Sequence, residues 1–129
     1  MPEILTRVLY VEDEPDIQMV ARLALEALGG FTVKICNSGS EALQRAPDFK
    51  PQLILLDVMM PGMDGPTTLR NLRGLAQFAV TPVVFMTAKV QPGEMAGYKE
   101  LGAVDVIAKP FDPMTLAGQV LAIWQRHHD

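Results

Sequence analysis

The sequence predicts an α/β fold in which five parallel strands alternate with five helices and the sheet is covered on both faces. Three observations carry this. Short apolar or β-branched runs alternate with longer stretches of helical periodicity along the chain. The third run, Leu53 to Leu56, is apolar throughout, as expected for a strand buried on both faces. Pro15, Pro47, Pro51, Pro61, Pro66, Pro82, Pro92, Pro110 and Pro113 all fall at or beside expected boundaries. They are expected to spare element interiors, where a proline costs about 3 kcal/mol. Such alternation implies parallel pairing through right-handed crossovers.

Each element has its own signal. Thr6 to Val11 is short and β-branched, hence the first strand. Pro15 opens a helix with Ile17, Val20, Ala21, Ala24 and Leu28 on its buried face, and Gly29-Gly30 ends it. Phe31 to Cys36 is the second strand. Ser38 and Glu41 form a capping box for a helix running to about Ala46. Gln52 to Leu56 is the third strand, and Asp64 caps a helix through Ala76. Pro82 to Met86 is the fourth strand. The helix from Gly93 to Leu101 is weakened by Gly97 and stopped by Gly102. Val104 to Ala108 is the fifth strand. Asp112 caps the last helix, with Pro113 at its first position and Ala117, Val120, Leu121 and Trp124 as its buried stripe.

Composition narrows the function. A chain of 129 residues is the size of one domain. The reading is a single domain over residues 1–129 with no output domain. A hydrophobic content of 49% argues against disorder. No apolar run is long enough for a membrane span, and the start, Met1-Pro2-Glu3, lacks a secretory signal pattern. The single cysteine, Cys36, excludes an internal disulfide framework and reads as a small buried hydrophobe. The expected compartment is a reducing cytoplasm. The formal charge of -4 offers no basic footprint for nucleic acid. His127, His128 and Asp129 read as a frayed polar tail, and the methionines, Met60 and Met63 among them, as core and loop filler.

The chemistry lies just past the strand ends. Glu12-Asp13-Glu14, with Asp16 close behind, comes after the first strand; Asp57 after the third; Thr87 and the small Ala88 after the fourth; Lys109-Pro110 after the fifth. A parallel sheet brings these ends to one edge, where ligands sit in such folds. Crowded carboxylates are relieved by a hard divalent cation, and Mg²⁺ suits one or two carboxylates, waters and a phosphate oxygen. Lys109 can hold Asp57 or a phosphoryl oxygen on it, and Thr87 offers a hydroxyl to the same group. Asp57 is then a candidate nucleophile forming an aspartyl-phosphate. Glu14 and Asp16 read as solvated, Asp16 also favouring the N-terminus of the first helix.

Four stretches, "LYVEDEPD", "LILLDVMMPGMDG", "VVFMTAK" and "GAVDVIAKPFD", in this order and at these separations, resemble the receiver domain of two-component response regulators over essentially the whole chain. The resemblance implies a flavodoxin-like, doubly wound sheet of strand order 2-1-3-4-5. It implies that Asp57 takes a phosphoryl group from a phosphohistidine on a sensor histidine kinase or histidine phosphotransfer protein. Asp13, Asp57 and the backbone carbonyl of Met59 would ligate Mg²⁺, with Glu12 acting through water. Lys109 would contact the phosphoryl group, Thr87 would move to bond it, and the Lys109-Pro110 bond would often be cis. Such a module is a signalling domain rather than a turnover enzyme. It would act on a downstream protein target of unknown identity or pass the group along a relay, with no direct contact to nucleic acid or membrane.

The sequence departs from the family at Val106, where many receivers carry Tyr or Phe. Phosphorylation is then expected to shift Thr87 and the following loop while the output face changes less, or differently. Met59, two residues after Asp57, and Lys89, two after Thr87, with Ala88 beside it, are candidate tuning positions that shield or hold the phosphoryl group. Two other readings compete. A haloacid-dehalogenase-type phosphatase would want a second acid two residues after its aspartate, where this chain has Met59. A receiver-like module that works without phosphorylation is opposed by the full set Asp13, Asp57, Thr87 and Lys109, and is kept open by Val106. Nucleotide binding is disfavoured, because "YVEDEPD" has no glycines to cradle phosphates. Trp124 reads as a helix anchor.

Overall fold

A computed structural model describes residues 3–127. Five parallel strands, β1 (Arg7–Val11), β2 (Thr32–Cys36), β3 (Leu53–Asp57), β4 (Val83–Thr87) and β5 (Asp105–Ala108), form one sheet in the order β2-β1-β3-β4-β5. The helices are α1 (Pro15–Leu23), α2 (Gly39–Phe49), α3 (Gly65–Arg73), α4 (Pro92–Glu100) and α5 (Leu116–His127). Among the described residues no helix is long and apolar enough to cross a membrane.

Strand alternation divides the core in two. Val8, Tyr10, Leu53, Leu55, Val84, Met86 and Ile107 pack with Ala21, Ala24 and Leu25 from the α1 side and Leu116, Ala117, Val120, Ile123 and Trp124 of α5. Leu9, Val11, Ile54, Leu56, Val83 and Phe85 face Ala42 and Ala46 of α2 and Leu69 and Leu72 of α3. β1, β3 and β4 are buried almost throughout, which explains their continuous apolar sequence. The pairing sets Val11 beside Leu56, Asp57 beside Met86 and Thr87 beside Ala108, so the carboxyl ends of the strands share one edge.

All five strands start a residue later than expected, and β3 and β4 each keep one more residue at the end, Asp57 and Thr87. Other differences have identifiable causes. After Leu23 the chain continues as a wider π turn over Ala24–Leu28, which rotates Leu28 out to solvent. The buried stripe is Ile17, Ala21, Ala24 and Leu25; Val20, which precedes the π turn, sits at the margin of that stripe and is exposed. Leu121 is likewise exposed, a step around α5 from a stripe that includes Ile123 instead. Pro47 lies inside α2, contrary to the rule that prolines avoid interiors. It sits in the last turn, where one missing N–H is tolerated before Lys50 closes the helix in a left-handed conformation. The Ser38 hydroxyl accepts from the Glu41 N–H at 3.0 Å, but the Glu41 carboxylate accepts from Asn37 rather than from Ser38. α3 ends at Arg73, and a 3-10 turn over Ala76–Phe78 follows. Asp112 accepts from the Met114 N–H in a turn that precedes α5, so Pro113 stands before the helix.

Trp124 is an anchor: it is buried and its indole N–H donates to the Glu3 carbonyl. Cys36 is fully buried, and burial followed by Glu41 pushes its thiol up to about 11, which suits a packing role. His127 belongs to the last turn of α5 rather than to a frayed tail, and His128 and Asp129 lie outside the described residues.

Asp64 caps α3 by accepting from the Thr67 N–H at 2.8 Å, and that bond lowers its pKa. A depressed carboxylate contributes stability above its unfolded pKa that is lost as pH falls through the folded value. Asp64→Ala is expected to lose about 1 kcal/mol at pH 7 in urea unfolding. The gap from wild type should narrow under acid conditions; a gap independent of pH would remove the ionised cap as its cause.

Candidate phosphoacceptor site

The strand edge assembles the residues that the sequence singles out. Asp57 is the last residue of β3, and only 4% of it is exposed. Glu12, just past β1, is fully buried, and Asp13 beside it is half-buried. Carboxylate oxygens of Glu12, Asp13 and Asp57 all lie within 4.8 Å of one another. Lys109, just past β5, reaches into this group. Its Nζ lies 2.9 Å from Glu12 Oε1 and 3.3 Å from Asp57 Oδ1. The Lys109–Pro110 peptide is cis.

Glu12 is held at every polar atom. Its backbone N–H donates to the Cys36 carbonyl, and its carbonyl accepts from the Gln18 side-chain amide. Its Oε1 accepts from the Tyr10 hydroxyl at 3.1 Å as well as from Lys109, and its Oε2 accepts from the Glu14 N–H at 3.2 Å. The sequence alone does not single out Tyr10 or Gln18. Extended-chain alternation does carry a signal for Tyr10, since residues two apart share a face and Glu12 directly follows β1. Gly65 is a third such residue. A Cβ there would lie 2.6 Å from the Asp57 carbonyl oxygen and 2.8 Å from Val58 Cα, so only glycine lets α3 start against the end of β3.

Burial and the neighbouring Glu12 raise Asp57 to about 6, against the opposing pull of Lys109. Burial works to lower Lys109, but the hydrogen bond to Glu12 and the charge of Asp57 outweigh it and raise its pKa. Burial, then Glu12, pushes the Tyr10 phenol far above its usual range, so it stays a donor. One ammonium thus serves two buried carboxylates. Hard oxygen donors, close together and under-compensated in charge, make a group that could hold a divalent cation. The donor set fits Mg²⁺.

The remaining candidates surround the cluster. Thr87 is buried at the end of β4, and its Oγ1 accepts from the Lys89 N–H at 3.1 Å. Ala88 and the Lys89 side chain are exposed. Met59 is exposed and lines an open cavity of about 430 Å³ with Val58, Met60, Pro61, Asp64 and Pro66. Val106 is half-buried and pairs with Phe85. Against Phe85 lies the ring of Tyr98 from α4, edge to face, with centroids 5.5 Å apart. Glu14 and Asp16 are exposed, Asp16 in the first turn of α1. An apolar groove of about 230 Å³ beside Lys109 is lined by Asp16, Ile17, Val20, Pro110 and Phe111.

Known proteins are similar to this chain in sequence and in fold. The family described as the response regulator receiver domain matches residues 8–121. The chain is 41% identical over 120 residues to the transcriptional activator protein IrlR of Burkholderia pseudomallei, covering 93% of this chain and 51% of that protein. It is 38% identical over 120 residues to the alkaline phosphatase synthesis transcriptional regulatory protein PhoP of Bacillus subtilis, covering 93% and 49%. The chain therefore spans about half the length of these relatives. Among solved structures, the chemotaxis response regulator CheY4 of Vibrio cholerae superposes with a TM-score of 0.86 at 29% identity, covering 93% of this chain and 99% of that one. A response regulator from Desulfuromonas acetoxidans gives 0.82 at 26% identity, covering 94% and 98%.

The raised Asp57 pKa has a consequence for stability. Between the ordinary aspartate value and about 6, the folded protein binds more protons than the unfolded chain, so metal-free stability falls as pH rises through that window. Asp57→Asn removes the buried charge. In EDTA at pH 7.5 it is expected to stabilise the fold by about 1–3 kcal/mol, with the gain fading toward pH 4. Chemical denaturation at both pH values measures this; an equal gain at both would exclude the ionised carboxylate as the source.

Proposed function

The chain belongs to the response regulator receiver family, a phosphoacceptor module of two-component signalling, and on that premise we propose that Asp57 is its phosphoacceptor. The observation that carries this is the single ammonium of Lys109 spanning Asp57 and Glu12 at a nearly closed strand edge. A carboxylate so placed gains more than a solvated one from charge compensation by an incoming phosphoryl group and its cation.

The transfer takes a phosphohistidine of a sensor kinase or phosphotransfer protein as donor. An Asp57 carboxylate oxygen attacks phosphorus in line; the O–P bond forms as the P–N bond breaks, and its electron pair stays on the imidazole nitrogen. Asp13, Asp57 and the Met59 carbonyl would hold Mg²⁺, with Glu12 acting through water, and the ion would supply positive charge against the phosphoryl oxygens. Lys109 passes from the carboxylates to a phosphoryl oxygen, a shift its flexible stem permits. The Thr87 hydroxyl turns from the Lys89 N–H to the same group. The apolar groove beside Lys109, with exposed Met19, Val20 and Met114 around α1 and the start of α5, offers the donor protein a surface next to the acceptor.

Output follows from the β4–α4 connection. In turning, Thr87 releases Lys89 and with it the start of α4. Val106 supplies no ring at β5; the aromatic against Phe85 comes from α4 as Tyr98. The surface that changes is therefore centred on α4 and the loop before it, and a protein target reads that surface.

Three measurements test these statements. Acetyl phosphate and Mg²⁺ are expected to add one phosphoryl group to the intact mass of wild type and none to Asp57→Asn; an equal adduct in both would overturn the assignment. Met59 and Lys89 shield the phosphoryl group in this reading, so Met59→Asn is expected to speed decay of the phosphorylated form several-fold, and an unchanged rate would remove Met59 from that role. Amide spectra taken with and without a phosphoryl mimic should differ most over residues 87–101. A full-size rearrangement centred on Val106 would contradict the α4 reading.

A further inference from the structure

The transfer chemistry leaves Tyr10 without a task, yet its hydroxyl lies inside the acidic cluster. Its side chain is fully buried, and its O–H donates to Glu12 Oε1 at 3.1 Å. The same oxygen receives Lys109 Nζ at 2.9 Å. Phenylalanine would fill the same space, so packing alone does not account for a hydroxyl here. Nor is the hydroxyl neutral to bury: without a partner it would be costly. Glu12 has one more rotatable bond than aspartate, and its carboxylate is fully buried, so its orientation rests on the donors around it.

We propose that Tyr10 is a positioning residue for phosphoryl transfer: its hydroxyl holds Glu12 in place while Lys109 leaves Glu12 Oε1 for the phosphoryl group. The inference rests on the reading of Asp57 as phosphoacceptor. Lys109 bridges Glu12 and Asp57, and a phosphoryl group on Asp57 competes for the ammonium. With Tyr10 in place, Oε1 keeps a donor when the ammonium departs. Without it, Lys109 is the donor remaining on that oxygen among the described residues, and Glu12 retains it more strongly. No covalent bond changes in this step; one hydrogen-bond partner is exchanged for another.

The test uses the full chain with acetyl phosphate and Mg²⁺, following adduct formation by intact mass. Tyr10→Phe keeps the ring and is expected to slow phosphorylation about ten-fold or more, ten-fold being close to the lower end for one hydrogen bond to a charged group. In a Glu12→Gln background the same change should alter the rate less than about two-fold, because the carboxylate that Tyr10 serves is gone. A packing role would give the same loss in both backgrounds. The chain has two tyrosines, so fluorotyrosine labelling yields two signals, and Tyr10→Phe identifies that of Tyr10. The Tyr10 signal of the otherwise wild-type protein should shift on adding Mg²⁺ with beryllium fluoride, a phosphoryl mimic, and this readout does not depend on Tyr10→Phe retaining full stability. The proposal is overturned by a wild-type rate in Tyr10→Phe, by equal losses in the two backgrounds, or by a Tyr10 signal that stays fixed while an Asp57-dependent adduct forms. No Asp57-dependent adduct at all, with neither signal moving, overturns the phosphoacceptor reading and this one together.

Discussion

The site depends on one unequal pairing: two buried carboxylates, Glu12 and Asp57, share the ammonium of Lys109. Buried charges are tolerated when they are paired and hydrogen-bonded, and here each partner is supplied by a different strand end. β1 delivers Glu12, β3 delivers Asp57 and β5 delivers Lys109, so the contact exists only if the sheet order and register are right. The chemistry thereby depends on the topology. A one-residue slip in β3 would turn Asp57 to the opposite face of the sheet, away from both partners.

The same pairing explains why the surrounding structure is so closely specified. Glu12 is fixed through its backbone, both carboxylate oxygens and the phenol beneath it. α3 begins against the end of β3 because residue 65 has no side chain to intervene. At the opposite end of the sheet, Arg73 donates to the carbonyls of Phe78, Thr81 and Gly102, tying the end of α3 to the approaches of β4 and β5. The edge with the acidic cluster holds spare charge, while the other end is closed by an arginine side chain donating to backbone carbonyls.

Much of this is legible in the sequence, because strand ends in a parallel sheet converge wherever the crossovers place them. Asp57, Thr87 and Lys109 stand out by type and position, and the acids after β1 by their crowding. The features that escape a sequence reading do so for physical reasons. The π turn after Leu23 cannot be seen in a period of 3.6, so that period puts Leu28 on the wrong side of its helix; Val20, in the regular part of α1, lies at the exposed margin of the stripe. Pro47 is tolerated in α2 because it falls in the last turn, which is closed by Lys50. The bond from Tyr10 to Glu12 needs the strand to pass from pairing into a loop at one particular residue, and boundaries are the least certain part of a sequence reading.

α4 buries none of its own residues fully; its aromatic contact is Tyr98 on Phe85. An edge-to-face pair contributes about 0.5–1.5 kcal/mol beyond its buried area. Two arrangements of this helix separated by an energy of that size would both be populated, in a ratio of roughly two- to twelve-fold at room temperature. A switch built this way does not create a new state when the site is modified. Under the proposed function it would reweight two such states, its basal output would be graded, and a partner with differential affinity for one state would shift the balance from the far side.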